Sequence, residues 1–431
     1  MNLLNWLHLP VFFLFVYLLW TQARQTPALR PFFWPALFLK LSAGILIGII
    51  YRHYFSGGDT WEYHAQTIKV VQTSRQDPEQ YLRLLVFNEK GEIPIGFSKW
   101  ADYSNSFFFI KLLSLFYFLT GNSYWFSGLY LSLFSFWGGW FLVAKVQTYY
   151  SRYGIAAAIA FLFFPSVVFW TSGVSKDSVF MGSLCLTVGL LLRLYKSAKP
   201  TEGVTNFLLL LPCVYLLWRI KFFLAAVLLV LVGALLLAKW LARCIPLFRS
   251  ASRQGLLWLG MLGIGAFVAS FAHPTFNLNF FARHILWNYR NLTAKTDITK
   301  PHLEFPDLQP DLFSVLFHAP EAVMQMLFRP YVWEAAPLFY KAVAVENLFL
   351  VLLVLITLIY LIRKRKVPAL PAFVAVLLVF FCISAVLVTL PTPNLGSLHR
   401  YRAPLLPFLF LVVLAWGPVP GWLQRWSKSR G

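Results

Sequence analysis

The sequence predicts an all-α polytopic membrane protein with about 11 transmembrane helices. Of its 431 residues, 59% are hydrophobic and only 12% are charged. A soluble protein of this length does not bury so many apolar side chains. Apolar runs that suit a lipid bilayer recur along the whole chain, and basic residues collect between alternate runs, as they do in cytoplasmic loops.

The apolar runs are assigned as eleven spans. They cover residues 6–21, 32–51, 124–143, 154–170, 179–192, 207–218, 223–237, 256–271, 342–362, 369–390 and 403–416. The first run lacks the basic flank and the cleavage site of a signal peptide, so we expect it to be retained. Residues 107–119 are apolar but shorter than the roughly 20 residues of a span, so we expect a half-buried or interfacial helix there.

Charge predicts the orientation of these spans. The loops after spans 1, 3, 5, 7 and 9, together with the C-terminal tail, hold 18 Lys and Arg and one acid, Glu202. Positive loops face the cytoplasm, so we expect an N-terminus outside and a C-terminus inside a plasma (inner) membrane. The net charge of +21 follows from this bias and does not indicate nucleic acid. Residues 1–431 would form one transmembrane domain with outer loops at 52–123 and 273–336.

Both outer loops carry patterns of amphipathic helices that could lie on the membrane. These patterns cover residues 63–74, 78–87, 276–289 and 312–328. The first outer loop opens with Gly57, Gly58 and Asp59, directly after the second span. A carboxylate at the mouth of a membrane helix is costly to desolvate and usually functional, so we expect Asp59 to be the general base of a transferase. The alternative is a cap on the following helix.

Ionisable side chains from distant parts of the chain meet on the predicted outer face. They are Asp59 with Glu62 and His64, Lys176 with Asp177, Arg219 with Lys221, Arg329 with Glu334 and the neighbouring aromatic Trp333, and Arg400 with Arg402. Basic residues at an outer mouth oppose the orientation bias, and we expect them to bind a phosphate. The alternatives are pairing with outer acids or lipid headgroups. Asp177 could instead pair with Lys176 or cap its helix, His64 could be structural, and Arg402 could snorkel to the interface.

This layout resembles the glycosyltransferase C superfamily, whose members are integral membrane enzymes that use polyprenyl-phosphate sugars. The resemblance rests on an acid after an early span, a long outer loop, a second acid in a later loop and basic residues near the last spans. The stretch from Phe164-Pro165 to Lys176-Asp177 is similar to the segment before the second acid. Where many members have two near-adjacent acids, this chain has Asp59 followed only by Glu62, and a Trp-Trp-Asp signature is absent.

The resemblance implies an inverting transfer of a sugar from a polyprenyl-phosphate donor to an envelope glycan, lipid or protein. Asp59 would be the base or a metal ligand, and Asp177 the second acid. Oxygen ligands would favour Mg²⁺ or Mn²⁺. Donor phosphate would lie among four basic residues: Arg219, Lys221, Arg400 and Arg402. Glu62, His64, Lys176 and Arg329 would contact substrate, and Trp61 and Trp333 could stack on a sugar.

Two other functions fit the same sequence. One is an envelope-polysaccharide polymerase or ligase that uses a diphosphate-linked glycan and needs no special early Asp. The other is a lipid or glycan transporter, which predicts polar residues at mid-membrane, broken helices and an internal repeat. The sequence has no evident inverted repeat, and Lys40 is the main ionisable residue within a span. A transferase further predicts that Asp59 converges with Arg400 and Arg402 in one outward hollow.

Overall fold

The regular structure of the chain is helical. The computed structural model describes residues 8–55, 57–91, 93, 95–96, 104–197, 200–272, 277–296, 299–334, 337–365, 367–419 and 421. Within those ranges the elements are helices and no strand occurs, which confirms the predicted all-α class. The chain divides into two compact units, Met1–Ala225 and Ala226–Gly431. Each unit is described by itself, and a single domain stays a prediction.

Seven helices of the described ranges are long and apolar enough to cross a membrane. They are Arg30–His53, Tyr124–Tyr149, Lys176–Lys196, Gly203–Cys244, Ala251–Phe271, Leu338–Lys364 and Ala372–Thr389. A bent pair, Leu395–Arg402 and Leu406–Trp416, counts as an eighth if it forms one broken span. The chain is therefore a multi-pass membrane protein by helix length and composition, and the figure of 11 spans stays a prediction. The start of the predicted first span, at residue 6, lies outside the described residues.

The first unit is built from ten helices within the described part of the chain. They are α1 (His8–Arg24), α2 (Phe33–His53), α3 (Gly58–Gln76), α4 (Pro78–Phe87), α5 (Asn105–Thr120), α6 (Tyr124–Tyr149), α7 (Gly154–Ala158), α8 (Pro165–Trp170), α9 (Lys176–Lys196) and α10 (Pro200–Cys244), whose C-terminal part belongs to the second unit. Two predicted spans fall inside α10. The helix has a non-helical residue, Lys221, at φ −143° and ψ 76°, and this break separates them.

The core of the first unit is α9, which is buried from Asp177 to Leu192. Its neighbour α6 comes close because both helices present glycine at the contact. A methyl group on Gly138 would collide with the backbone of Gly182. Close backbone approach at small residues is how membrane helices associate, since lipid tails give no hydrophobic drive between them. This packing holds the N-terminus of α9 in a fixed position.

The predicted span 154–170 is not one straight helix. It consists of α7, a π-helical turn at Ile159–Phe163 and α8, with extended backbone at Phe164 before Pro165. Proline has no N–H group and disfavours the helical conformation of the preceding residue, so the helix breaks there. Because of this break, α8 is a separate short helix that leads into a buried turn before α9.

That buried turn covers residues 171–175 and joins α8 to α9. Gly173 adopts φ +68°, and its N–H donates to Ser132 Oγ at 2.8 Å. The ammonium of Lys40, on α2, donates to the hydroxyl of Thr171. Irregular backbone inside a membrane protein is tolerated only where protein groups satisfy it. Here Ser132 of α6 accepts the Gly173 N–H, and Lys40 of α2 bonds the Thr171 side chain.

Helices occur in both predicted outer loops. In the first loop these are α3, α4 and α5, and ten of the sixteen residues of α5 are buried within the protein. His64 and Trp61 hold α3 against its neighbours, as described below. Whether any of these helices lies on a membrane surface stays a prediction.

The second unit contains seven further helices within the described ranges. They are α11 (Ala251–Ala272), α12 (Leu278–Thr293), α13 (Leu312–Phe328), α14 (Leu338–Lys364), α15 (Ala372–Thr389), α16 (Leu395–Arg402) and α17 (Leu406–Trp416). α13 packs against α14, α15 and α16, and α17 packs against α14 and α15. The loop before α13 is tied down by the Leu303 N–H, which donates to Pro393 O at 2.8 Å. The Phe305 N–H donates to the Tyr289 hydroxyl at 2.9 Å.

We predict that Gly173→Ala destabilises the protein by about 1–3 kcal/mol, the usual cost of strained backbone and overpacking. An alanine Cβ there would lie 2.6 Å from Ile47 Cγ2 and 2.9 Å from the Gly44 carbonyl oxygen, at a positive φ. Thermal unfolding in detergent measures the change. Gly260→Ala on α11 is the control, because nothing lies within 4 Å of a Cβ at that position. Equal melting temperatures for the two variants would contradict the tight packing of the turn.

Candidate functional site

A buried ion pair lies at the break in α10. Lys221 Nζ is 2.8 Å from Asp177 Oδ1, and the two side chains are 12% and 1% exposed. A carboxylate this deeply buried is costly unless it is paired. The sequence suggested pairing with Lys176 or helix capping instead. The cap of α9 is Ser175, whose hydroxyl accepts the Ser178 N–H at 3.1 Å, so Asp177 keeps its carboxylate for Lys221.

Lys176 faces a different set of partners. Its ammonium donates to Asn105 Oδ1 at 2.9 Å and to Ser106 Oγ at 3.0 Å, and it lies 5.5 Å from the centroid of the Tyr63 ring. The Asn105 amide also donates to the Ile220 carbonyl at 3.0 Å. That carbonyl immediately precedes the α10 break, so one amide group connects α5, α9 and α10.

These side chains form what we call the break cluster. It comprises Tyr63, Asn105, Lys176, Asp177 and Lys221. The cluster contains two ammonium groups and one carboxylate, so its formal charge is positive. The half-buried Arg219 adds a third cation nearby in sequence, with its guanidinium 4.9 Å from the centroid of the Phe108 ring. The structure thus brings together three of the predicted site residues, Lys176, Asp177 and Lys221.

Asp59 is an exposed residue in the first turn of α3. The N-cap of that helix is Gly57, at φ +102°, so Asp59 is not the cap that the alternative required. A carboxylate in the first turn is stabilised by the helix dipole. Asp59 and Tyr63 are four residues apart and share a face of α3, which places Asp59 one turn from the ring beside Lys176. Glu62 is exposed and accepts a hydrogen bond from Gln66 Nε2 at 2.6 Å.

His64 and Trp61 attach α3 to its neighbours. His64 Nδ1 shares a hydrogen bond with the Tyr117 hydroxyl on α5, and burial lowers the pKa of the imidazole below its ordinary value of 6.5. Trp61 stacks on Tyr124 at 4.1 Å between centroids, with an angle of 3° between planes. Its indole N–H donates to the Gly48 carbonyl at 3.1 Å. The structural alternative therefore describes His64 best, and one face of Trp61 is already covered.

In the second unit, Arg402 is fully buried. Its guanidinium donates to the carbonyl of Met326, to that of Leu327 at 3.3 Å, and to Asn347 Oδ1 at 2.6 Å. The first two carbonyls belong to the last turn of α13, where carbonyls have no intrahelical partner. Arg402 therefore caps the C-terminus of α13. The sequence suggested phosphate binding or snorkelling for this residue instead, and we leave it out of the substrate site. Arg400 is half-buried, and its predicted role stays a prediction.

Arg329 forms an ion pair with Glu334, with 2.9 Å between Nε and Oε1. The pair lines an open cleft of about 460 Å³ in the second unit, together with Thr299, Lys300, Pro301, His302 and Glu304. His302 Nε2 lies 2.9 Å from Glu304 Oε1. Prolines at 301, 306 and 310 mark this stretch as rich in turns, and of the residues that line the cleft the sequence predicted only Arg329 and Glu334 as part of a site. The missed signal was three ionisable residues within five positions, next to Pro301 and Pro306.

The surroundings of Asp177 do not suit a divalent metal. The charged group that contacts it is an ammonium, which repels a cation. Over the described ranges, no group of three or more His, Cys, Asp or Glu side chains is arranged to hold a metal ion. A metal at Asp59 stays a prediction, and no step of the mechanism below uses one.

The predicted convergence of Asp59 with Arg400 and Arg402 joins the first unit to the second, and it stays a prediction. No family model, curated protein or solved structure matches the chain.

We predict that Asp177→Asn and Lys221→Met each destabilise the protein by about 3–5 kcal/mol, because each leaves its partner's charge buried without compensation. The double variant should be more stable than the sum of the two single losses implies. A double-mutant cycle on unfolding in detergent measures the coupling. Additive effects would mean that the two charges do not stabilise each other.

Proposed function

We propose that the protein is a membrane glycosyltransferase, which moves a sugar from a polyprenyl-phosphate donor to an envelope glycan, lipid or protein acceptor. The observation that carries this proposal is the break cluster. In a chain with only 12% charged residues, two ammonium groups and one buried carboxylate meet where four helices join. Charged groups inside a membrane protein are expensive and mark sites of function.

A phosphate group suits this cluster for two reasons. Lys176 and Lys221 exceed the single carboxylate of Asp177 in formal charge, so an anion would balance the site, and Arg219 strengthens this bias. The cluster also lies at the N-terminus of α9, where the helix dipole favours anions. In a site shielded from water these interactions are stronger than at an exposed surface.

The proposed reaction assigns different roles to the two carboxylates. Asp59 accepts the proton of the acceptor hydroxyl while that oxygen attacks the anomeric carbon. The bond from the anomeric carbon to the phosphate oxygen breaks, its electron pair leaves with the lipid phosphate, and the anomeric configuration inverts. Lys176 and Lys221 stabilise the negative charge on the leaving phosphate. Asp177 acts as a positioning residue, because its carboxylate fixes the ammonium of Lys221.

The membrane arrangement supports an outward-facing reaction on charge grounds. Basic loops would lie in the cytoplasm, with the N-terminus outside and the C-terminus inside an inner membrane. Eleven spans are reached if α10 counts as two spans, and if α1, the broken α7–α8 segment and the last helices each cross the membrane. Acidic Asp59 and the break cluster would then lie on the outer side, where lipid-linked sugars are used.

One observation favours the transporter as a second candidate. Discontinuous helices are typical of transporters, and here α8 and α9 are separated by a buried turn, α10 is broken, and α16 and α17 are bent by 63°. The polymerase or ligase alternative would use the same basic cluster for a diphosphate. A transporter moves its lipid-linked substrate without consuming it, and this separates it from both enzymes.

We predict that Asp59→Asn lowers sugar transfer at least about a hundredfold, the usual contribution of a general base. The assay follows loss of a polyprenyl-phosphate sugar after addition of acceptor to the purified protein in sealed liposomes. The variant should melt at the wild-type temperature, since Asp59 is exposed and is not the helix cap.

Glu79→Gln is the matched control. Glu79 is a 75% exposed carboxylate on α4, in the same predicted loop, paired with Arg83 on the surface. Its loss should leave transfer unchanged. Full activity of Asp59→Asn would remove Asp59 from the mechanism. Donor that crosses the bilayer intact, without being consumed, would replace the transferase proposal with the transporter.

A further inference from the structure

The open cleft in the second unit shares no residue with the break cluster and has well-defined walls. One wall is the loop from Thr299 to Glu304, and the other is formed by Arg329 and Glu334, the two ends of a short segment after α13. Its volume of about 460 Å³ lies in the range of small-molecule sites. Nothing in the proposed sugar transfer so far uses this cleft.

Buried contacts fix both walls in place. The first wall is anchored by Leu303, whose side chain is fully buried and whose N–H donates to Pro393 O. The second wall follows α13. There the Asn347 amide donates to the carbonyls of Phe328 and Pro330, at 3.2 and 3.1 Å, and Arg402 holds the preceding turn. A cleft between two anchored segments is largely formed before a ligand arrives, which lowers the entropy cost of binding.

The charges that line the cleft balance each other. Two cations, Lys300 and Arg329, face two carboxylates, Glu304 and Glu334. Arg329 pairs with Glu334, and His302 contacts Glu304. Such a site does not favour an anion. It offers hydrogen-bond donors and acceptors side by side, and the Glu304 carboxylate is 72% exposed, so it can accept from a bound hydroxyl.

An exposed aromatic platform adjoins the second wall. Tyr331 and Trp333 stack on each other, with 4.9 Å between ring centroids and 7° between planes, and Trp333 is 80% exposed. The next residue, Glu334, lines the cleft. An aromatic face carries partial negative charge, which attracts the slightly positive C–H groups on the face of a sugar ring. Tyr331 covers one face of Trp333, and the high exposure of Trp333 leaves its other face accessible.

We propose that this cleft binds a neutral saccharide, with one sugar ring on Trp333 and its hydroxyls on Glu304 and Arg329. The further assignment of this cleft as the site for a glycan acceptor rests on the proposed function, whereas saccharide binding by the cleft does not depend on it. Balanced charge argues for a neutral sugar rather than a phosphate, and the aromatic platform supplies the apolar contact. The chemical class is an uncharged oligosaccharide with alternating hydroxyl donors and acceptors.

The test is binding of neutral tetrasaccharides of glucose, mannose and N-acetylglucosamine to the full chain in nanodiscs, measured by saturation-transfer NMR and thermophoresis. We expect at least one tetrasaccharide to bind, and Trp333→Ala to weaken it about tenfold, the scale of one lost aromatic contact. Trp333→Phe should restore much of the affinity, and Glu304→Gln should weaken binding. Trp287→Ala is the control, since Trp287 is 61% exposed on α12, a helix that contributes no residue to the cleft.

Three results would overturn the proposal. They are no binding of any tetrasaccharide by wild type, equal binding by Trp333→Ala and wild type, and binding of inorganic phosphate without any saccharide. The assay contains no lipid-linked donor, so its outcome is independent of transfer. Saccharide binding without donor consumption would support the cleft as a binding site and contradict the transferase proposal. Donor consumption without saccharide binding would support the transferase proposal and contradict saccharide binding in the cleft.

Discussion

The contact between Asp177 and Lys221 is the interaction on which the first unit depends. A carboxylate that is 1% exposed at the start of the most buried helix requires a cation. That cation comes from a residue 44 positions later, at the one non-helical position of α10. The break and the ion pair therefore occur at the same place. Next to the break, the Ile220 carbonyl accepts a hydrogen bond from the Asn105 amide, and the Asn105 side-chain oxygen accepts one from Lys176. We propose phosphate binding at the break cluster because its two ammonium groups and one carboxylate give it a positive formal charge.

The second unit applies the same principle with a different cation. Arg402 is buried without solvent contact and directs its guanidinium at the carbonyls that end α13. Helix ends leave such groups without partners, so a buried arginine there stabilises the backbone and its own charge at once. Asn347 extends the arrangement to Pro330. The consequence is a fixed segment from Arg329 to Glu334, and this rigidity is what makes the cleft a candidate binding site.

The sequence was sufficient for the fold class and for some of the site. Composition alone predicts the helical membrane protein, and the charges at Lys176, Asp177 and Lys221 were identified because ionisable residues are rare at span ends. Their pairing was not predicted, since hydropathy does not reveal which distant cation faces a given carboxylate. Phosphate binding was expected for Arg402 because the sequence does not show that its guanidinium bonds the last carbonyls of α13. Lys300, His302 and Glu304 were missed because proline-rich loops carry no periodicity. Asp59 was expected before a helix that begins near residue 63, whereas α3 begins at Gly58 and includes Asp59 in its first turn.

The central claim is that the break cluster holds the phosphate of a lipid-linked donor, and affinity for polyprenyl phosphate tests it most directly. Native mass spectrometry of the folded protein would compare wild type with Lys176→Gln and with Lys69→Gln, a lysine on α3 outside the cluster. The account predicts a loss of about tenfold or more for Lys176→Gln, the worth of one hydrogen bond to a charged group, and no change for Lys69→Gln. Equal affinity in all three proteins would contradict it.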